Sequence, residues 1–216
     1  MPSVLITGAT GFVGKTLVPR LLEQRYRLHA TYHASGPEAG SGSQQDLAWL
    51  QYDLSREIQD YSALLDGMDT VIHLAARVHA PVTGAEEPDS FLQLNRLATH
   101  RLAAEAAARG VRRFIFLSTV KVNGEKTSGP DHGLYQRFTE NDPPHPIGPY
   151  AVSKYEAEQS LLEVCRRTGM EYVILRPPLV YGPGVKSNFL RLLAGVASGI
   201  PLPLGSLHNR RSFLYV

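Results

Sequence analysis

The chain has 216 residues, of which 43% are hydrophobic and 19% charged, enough apolar material for one sizeable core with little disorder. Its formal net charge is only +2, and its basic residues form no run longer than two, so neither a nucleic-acid stripe nor a membrane-binding patch is expected. With no basic region leading into a long apolar stretch and with Cys165 as the only cysteine, we expect a cytoplasmic protein without a signal peptide, membrane span or intramolecular disulfide.

Short β-rich runs alternate with helical patterns through most of the chain. Strands are predicted at 3–7, 27–32, 48–52, 70–75, 113–118 and 171–176. Helices are predicted at 12–24, 61–67, 88–110 and 150–169, the first with Pro19 inside it and an expected kink there. Nearly continuous apolar strands suit a parallel sheet covered on both faces, so the predicted fold is α/β, a doubly wound parallel sheet of the Rossmann type.

Two segments depart from this alternation. The segment 34–46 is rich in Gly, Ser and Pro and is predicted to be a surface loop. From 177 onward Pro/Gly-rich turns surround one helical run at 186–198. We therefore predict a domain at 1–176 and a separate region at 177–216.

The stretch "TGATGFVG" (7–14) follows the first predicted strand and opens the first predicted helix. Glycines in this pattern allow a tight turn, close approach of the backbone to a pyrophosphate and close helix packing, while the helix N-terminus offers unpaired N–H groups. We therefore predict a dinucleotide-binding loop whose contacts come from Gly8, Thr10, Gly11, Phe12, Val13 and Gly14.

Four further motifs follow in chain order, each at the end of a predicted strand or the start of a predicted helix. They are "YDLS" (52–55), "HLAA" (73–76), "LST" (117–119) and "YAVSK" (150–154). With the glycine loop, they resemble the extended short-chain dehydrogenase/reductase superfamily, and within it the NAD(P)-dependent nucleotide-sugar epimerases and dehydratases. The resemblance implies an enzyme that moves hydride to or from a sugar carbon, and a C-terminal substrate-binding portion that is missing or shortened here.

The resemblance makes Thr119, Tyr150 and Lys154 the catalytic residues. Tyr150 and Lys154 are four residues apart and share one face of a helix. A free phenol, with a pKa of about 10, is a poor base at neutral pH, and an adjacent ammonium favours the phenolate. In the family the lysine also holds the nicotinamide ribose, and the hydroxyl matched by Thr119 bonds the reacting oxygen.

Further cofactor contacts are also implied by the resemblance. Asp53 would accept from the adenine amino group, and Asn95 would lie near the nicotinamide. The remaining residues expected to line the cofactor are Leu54, Leu74, Ala75, Ala76 and Pro177. An NAD enzyme usually has an acid at the end of the second strand, where Tyr32 and His33 stand, so His33 is predicted to contact the adenosine ribose and NADP is permitted besides NAD.

The resemblance also implies a substrate site for a nucleotide sugar, UDP-linked in the best match. Arg211 in "NRRSFLYV" would grip the substrate diphosphate, to which a guanidinium is well suited. Ser118, Asn123 and Asn188 are the other predicted substrate contacts. No metal site is expected, because His73 and His79 have no cysteine cluster or paired carboxylates nearby.

Departures from the family pattern leave the reaction open. Val120 and Lys121 stand where the sugar 4,6-dehydratases carry Asp-Glu, so a dehydratase is not expected. "KVNGE" (121–125) resembles a bacterial polysaccharide branch of epimerases, some of which reduce 4-keto sugars. A 4-epimerase and an NADPH-dependent UDP-4-keto-sugar 4-reductase both remain, and a homodimer is compatible with either. A third hypothesis, a non-catalytic NAD(P)-binding sensor or scaffold, is disfavoured because Tyr150 and Lys154 are retained.

Overall fold

The computed structural model describes residues 1–37, 45–57, 60–78, 92–127, 137–185, 188–199 and 210–216. Its strands are β1 (Ser3–Thr7), β2 (Arg27–Tyr32), β3 (Leu47–Gln51), β4 (Thr70–His73), β5 (Arg113–Leu117), β6 (Glu171–Leu175), β7 (Leu179–Tyr181) and β8 (Phe213–Tyr215). Its α-helices are α1 (Gly14–Glu23), α2 (Ser62–Leu65), α3 (Ala98–Ala108), α4 (Pro149–Thr168) and α5 (Asn188–Ala197). A π-helical segment, Leu92–Leu97, leads into α3, and a 3₁₀ turn, Val120–Val122, follows β5.

The described residues form two compact units, Met1–Arg176 and Pro177–Val216. In the first unit, six strands form one sheet in the order β3-β2-β1-β4-β5-β6, and every neighbouring pair is parallel. The predicted doubly wound parallel sheet is therefore confirmed. The strand order reverses beside β1, which creates a crevice at the carboxyl ends of β1 and β4.

Two hydrophobic clusters cover the two faces of this sheet. Leu5 belongs to the larger cluster, whereas its neighbours Val4 and Ile6 belong to the smaller one, because successive side chains of a strand point to opposite faces. The larger cluster also contains Phe114 and Leu161, both fully buried. Burial on both faces explains why the strands read as apolar runs in the sequence.

The helix ends follow from proline and glycine chemistry. Pro149 is the first residue of α4, where its missing N–H costs no helical hydrogen bond. Gly169 ends the helix in the left-handed conformation, with φ of 76°. Pro19 lies inside α1, as the sequence predicted, and the helix continues through it to Glu23.

Among the strands of the six-stranded sheet, the outer strand β6 is the least covered. Tyr172, Val173 and Leu175 keep 48%, 38% and 47% of their surface exposed, respectively. Within the described part of the chain, β6 pairs only with β5. One edge of this apolar strand therefore has no strand beside it.

The second unit is built on a short parallel pair, β7 and β8, and on helix α5. Tyr181 packs against Phe189, Phe213 and Tyr215, with ring centroids 5.4–6.2 Å apart.

No helix among the described residues is long and apolar enough to cross a membrane.

Candidate active site

The glycine loop between β1 and α1 lies against the turn that follows β4. Gly8 has φ of 68°, and a Cβ built there would lie 2.8 Å from the backbone nitrogen of Ala75. Thr7 joins the same two segments, since its carbonyl accepts from the Leu74 N–H at 3.2 Å and its Oγ1 accepts from the Ala75 N–H at 3.3 Å. The two loops predicted to line a cofactor therefore meet at the crevice.

Gly11 and Gly14 are glycines for different reasons. A Cβ at Gly14 would lie 2.5 Å from the Ala9 carbonyl oxygen, so the protein's own packing requires glycine there. A Cβ at Gly11 would approach only the Gly8 carbonyl oxygen, at 3.0 Å, and Gly11 does not have a positive φ. Its exposed backbone offers the close approach that a pyrophosphate needs.

The N-terminus of α1 can bind an anion. Among the described side chains none caps it, and no acidic residue stands in its first turn. The Lys15 and Thr16 N–H groups of that turn already bond the carbonyls of Gly11 and Val13, at 3.0 and 3.1 Å, so the helix end attracts a phosphate chiefly through the positive end of its dipole. Thr10, Phe12 and Val13 are partly exposed in the same loop, so this segment fits a dinucleotide.

His73, at the end of β4, is a structural histidine. Its Nδ1 lies 2.6 Å from Thr7 Oγ1 and its Nε2 lies 3.0 Å from Thr99 Oγ1. Because the Thr99 hydroxyl itself donates to the Asn95 carbonyl, the ring proton belongs on Nε2. Burial, with the nearby charge of Lys154, lowers the pKa of His73 to about 3, so the ring is neutral at physiological pH.

Thr119 and Tyr150 meet across two elements. Thr119 follows β5 and starts the 3₁₀ turn, and its Oγ1 accepts from the Lys121 N–H at 3.3 Å. Tyr150 is the second residue of α4, and its side chain is hydrogen-bonded to that of Thr119. Burial raises the pKa of the Tyr150 phenol, and the bond to Thr119 lowers it in part. Of these two effects on the phenol, burial is the larger.

Lys154 is fully buried one turn further along α4, with 1% of its surface exposed. Its Nζ lies 3.9 Å from the centroid of the Phe116 ring, and that ring stacks on His73. Burial lowers the pKa of Lys154 to about 7, while the charge of Glu158 raises it. A buried amine with a pKa near neutrality is typical of functional sites.

Replacing Lys154 with methionine is expected to stabilise the cofactor-free protein at neutral pH. Below pH 7 the lysine is charged in both states, so the folded state bears the whole cost of burying the charge. Between pH 7 and about 10.5 the unfolded chain binds more protons, so wild-type stability rises with pH and the advantage of the variant shrinks. Chemical denaturation at several pH values should give a gain on the order of 1–3 kcal/mol at pH 6. If the variant were only as stable as the wild type at pH 6, or less stable, the burial of a charged Lys154 would not cost the folded state free energy.

Ser118 and Asn123, predicted to bind substrate, contact an ion pair between the partly exposed Arg176 and the buried Glu158. Arg176 donates to Glu158 twice, from Nε to Oε1 at 3.0 Å and from Nη2 to Oε2 at 2.6 Å. The Ser118 hydroxyl donates to Oε1 of the same carboxylate, and Arg176 Nη1 donates to Asn123 Oδ1 at 3.2 Å. Sequence reasoning assigned no role to Glu158 or Arg176, although Glu158 is eight residues after Tyr150 on α4.

Asn95 connects the turn after β4 to α4. Its Oδ1 accepts from the Arg77 N–H at 2.9 Å, and its Nδ2 donates to the Arg77 carbonyl at 3.1 Å and to Ser153 Oγ at 3.0 Å. Both amide hydrogens are thus used inside the protein. Ser153 in turn donates to the Tyr150 carbonyl at 2.9 Å, so two successive hydrogen bonds link Asn95 to the first turn of α4.

Asp53 and His33 lie side by side at the ends of β3 and β2. His33 Nε2 is 3.6 Å from Asp53 Oδ1, and Arg56 Nε is 3.7 Å from Oδ2. The hydroxyl of Ser55, which donates to Oδ1 at 2.6 Å, is the main reason that the pKa of Asp53 is lowered. An ionised carboxylate therefore lies beside the position where the sequence showed no acid. Leu54, next to it, is buried.

Three predicted site residues belong to the second unit. Pro177 opens it, Asn188 begins α5 with its side chain outside the described residues, and Arg211 is exposed shortly before β8. His79 lies outside the described residues altogether. In the part of the chain that is described, no group of three His, Cys, Asp or Glu side chains could hold a metal ion.

Comparison with known proteins identifies close matches along the whole chain. A model of the NAD-dependent epimerase/dehydratase family matches residues 4–216. The chain is 39% identical over 218 residues to a UDP-glucose 4-epimerase of Vibrio cholerae, covering 99% of this chain and 63% of that relative. It is 31% identical over 220 residues to N-acetyl-alpha-D-glucosaminyl-diphospho-ditrans,octacis-undecaprenol 4-epimerase of Escherichia coli O157:H7, covering 99% and 60%. The chain thus spans 60–63% of the length of these two curated relatives.

Solved structures of both epimerases and dehydratases share the fold. UDP-glucuronic acid 4-epimerase from Bacillus cereus, in complex with UDP-glucuronic acid and NAD, matches with a TM-score of 0.79 and 27% identity, covering 99% of this chain and 69% of that one. A dTDP-glucose 4,6-dehydratase from Streptomyces venezuelae, with NAD bound, gives 0.78 and 26%, covering 99% and 68%. Since the two similarities are nearly equal, the choice between reactions depends on individual residues.

Proposed function

Because the chain belongs to the NAD-dependent epimerase/dehydratase family, we propose that it acts as an NAD-linked 4-epimerase of a nucleotide sugar. The observation that carries the proposal is the hydrogen bond between Thr119 and Tyr150, one helical turn from the buried Lys154. Together these side chains supply a proton acceptor, a hydroxyl to hold the reacting oxygen and a positive charge. All three lie on segments at the carboxyl ends of the strands, where ligands bind in open parallel sheets.

The chemistry of epimerisation assigns a role to each side chain. Bound NAD would supply a reversible hydride acceptor. Tyr150 takes the proton of the sugar hydroxyl at Oη as the C4–H bond breaks, and Thr119 Oγ1 holds the same oxygen. Tyr150 would then return the proton to the same oxygen, so the tyrosine is regenerated for the next turnover.

The cofactor contacts proposed for this chain follow the geometry of the crevice. Gly8, Gly11 and Gly14 would cradle the pyrophosphate at the N-terminus of α1. Lys154 would hold the nicotinamide ribose, and Asp53 would accept a hydrogen bond from the adenine amino group. The turn at 74–76 would line the cofactor from the β4 side.

Two observations favour an epimerase over a dehydratase. The residue after Thr119 is the apolar Val120. Lys121, which follows, is half exposed and pairs with Glu125 at 2.9 Å. Neither position therefore carries the carboxyl group with which the dehydratase pattern would supply an acid and a base for removing water.

The substrate and its binding region are also proposals. The similarity to UDP-sugar epimerases supports a UDP-linked sugar. We also propose a role in supplying cell-surface polysaccharide precursors, which rests on the resemblance of "KVNGE" (121–125) to a bacterial polysaccharide branch. Residues 1–176 would bind cofactor and carry the catalytic side chains. Residues 177–216 would begin the substrate-binding region, with Arg211 on the diphosphate and Asn188 at the start of the substrate loop.

Incubation of the full-length protein with UDP-glucose or UDP-galactose and NAD, followed by product analysis, tests the proposal. We expect interconversion of the two configurations without net consumption of cofactor. Stoichiometric oxidation of NADPH with a UDP-4-keto sugar would instead favour the 4-reductase. Tight cofactor binding with no turnover of any nucleotide sugar would favour the sensor or scaffold.

Replacing His33 with aspartate is expected to move cofactor preference toward NAD. A second carboxylate beside Asp53 would repel the 2′-phosphate of NADP, whereas it can accept from the ribose hydroxyls of NAD. The ratio of the two dissociation constants should change on the order of tenfold to a hundredfold, measured by calorimetry. An unchanged ratio would show that His33 does not face the adenosine ribose.

A further inference from the structure

Three ionisable side chains follow one face of α4 at intervals of four residues. They are Tyr150, Lys154 and Glu158, and this spacing places each one helical turn from the next. Lys154 and Glu158 each expose only 1% of their surface. The proposed catalytic ammonium therefore has the phenol one turn before it and a buried carboxylate one turn after it.

The carboxylate of Glu158 is held from outside its own helix. Arg176, just after β6, binds both of its oxygens, and Ser118, at the end of β5, donates to one of them. Tyr155 on α4 lies close enough to Arg176 to affect it electrostatically. Such a pair has a fixed geometry, and a fixed buried charge acts strongly on a neighbour because little water screens it.

The other groups around Lys154 provide no competing negative charge within the described residues. Phe116 on β5 presents its ring face to the ammonium at 3.9 Å. His73 on β4 is neutral at physiological pH and is bonded to two threonines. Among the described side chains, Glu158 is the acid whose charge favours the protonated lysine against burial.

We propose that Glu158 is a positioning residue of this active site: fixed by Arg176 and Ser118, its carboxylate favours the charged form of Lys154, the form that can stabilise the Tyr150 phenolate. The role in catalysis rests on the proposed epimerase function, whereas the effect on Lys154 does not. Without the carboxylate, Lys154 would lose its proton at lower pH, and Tyr150 would have to ionise beside a neutral amine. The pH range of activity would then narrow.

The direct test is the titration of Lys154 in the full chain without substrate. The protein has five lysines, so selective ¹³C labelling of lysine gives few NMR signals, and Lys154→Met identifies the signal of interest. In Glu158→Gln we expect the titration midpoint of Lys154 to fall by about one pH unit, a tenfold change in its ionisation constant. The matched control is Glu163→Gln on the same helix, which removes an exposed carboxylate paired with Arg167 at 3.8 Å and should leave the midpoint unchanged.

A second variant gives a shift of opposite sign. Arg176→Gln removes the guanidinium and leaves the charge of Glu158 to act on Lys154 alone, so the midpoint should rise. If Glu158→Gln fails to fold because Arg176 is left unpaired, the midpoint of Lys154 in Arg176→Gln still tests the proposal. Unchanged midpoints in a folded Glu158 or Arg176 variant would overturn the proposal.

Activity then separates the two proposals. If Glu158→Gln lowers the titration midpoint of Lys154 and also narrows the pH profile of kcat, the role of Glu158 and the epimerase function are both supported. A shifted midpoint in a protein that converts no nucleotide sugar would leave the charge relationship intact and remove the proposed function instead.

Discussion

Replacing Tyr150 with phenylalanine is expected to abolish turnover while dinucleotide binding stays nearly intact. The substitution removes the hydroxyl proposed to transfer the proton but keeps the aromatic ring at the start of α4. General acid–base groups contribute on the order of 10²–10⁴-fold to rate, and here the same group must act in both halves of the reaction. The measurement is kcat for the nucleotide sugar, together with the dissociation constant for NAD by calorimetry.

A second tyrosine on the same unit provides the control. Tyr26 lies between α1 and β2, at the end of the sheet opposite the crevice, so Tyr26→Phe also removes one hydroxyl but leaves the site untouched. Its kcat should match that of the wild type. Near-native activity of Tyr150→Phe would eliminate Tyr150 as the proton-transfer group.

Replacing Gly11 with valine is expected to prevent cofactor binding in a protein that still folds. The residue is exposed and has no positive φ, and a Cβ there would meet only the Gly8 carbonyl oxygen at 3.0 Å. The branched side chain would instead occupy the space through which a pyrophosphate approaches the backbone. We expect the dissociation constant for NAD to rise on the order of a hundredfold or more, equivalent to ~2.7 kcal/mol.

Gly14→Ala is the matched comparison within the same loop. Its Cβ would lie 2.5 Å from the Ala9 carbonyl oxygen, so this smaller substitution should lower the melting temperature as well as the affinity. Gly11→Val should leave the melting temperature of the cofactor-free protein close to that of the wild type. An unchanged NAD affinity in folded Gly11→Val would refute the cofactor assignment.

Much of the fold was predictable because local signals agreed with one another. The strand β1 was predicted with the bounds that the structure shows, and the glycine loop and α1 follow it in the expected order. Proline and glycine fixed the ends of α4. The first four predicted strands differ from the structure by no more than two residues at either end. The largest difference is at β4, which was predicted to reach residue 75 and ends at His73. Beyond His73 the N–H groups of Leu74 and Ala75 both bond to Thr7.

Charges brought together by the fold were not predictable. The segment after β2 shows no acid at Tyr32 or His33, yet the parallel pairing of β2 with β3 brings Asp53 to within 3.6 Å of His33. Glu158 and Arg176 are 18 residues apart in sequence, and only the packing of α4 against the end of β6 joins them.

The effect of burial on the pKa of Tyr150 could not be predicted from the sequence either. Spacing shows that Lys154 shares its helix face, but not that both groups lie where burial opposes their charged forms. Desolvation depends on how many neighbours enclose a group, which is a property of the folded packing.

The outer edge of β6 has a consequence for handling the protein. Within the described ranges no strand pairs with that edge, and an edge flanked by the exposed Tyr172, Val173 and Leu175 is a template on which a strand of another chain can add. Fragments and destabilised variants that present this strand are therefore candidates for aggregation during expression, independently of any damage to the crevice. Loss of soluble yield in a variant should accordingly be traced to this edge before it is interpreted as loss of catalytic competence.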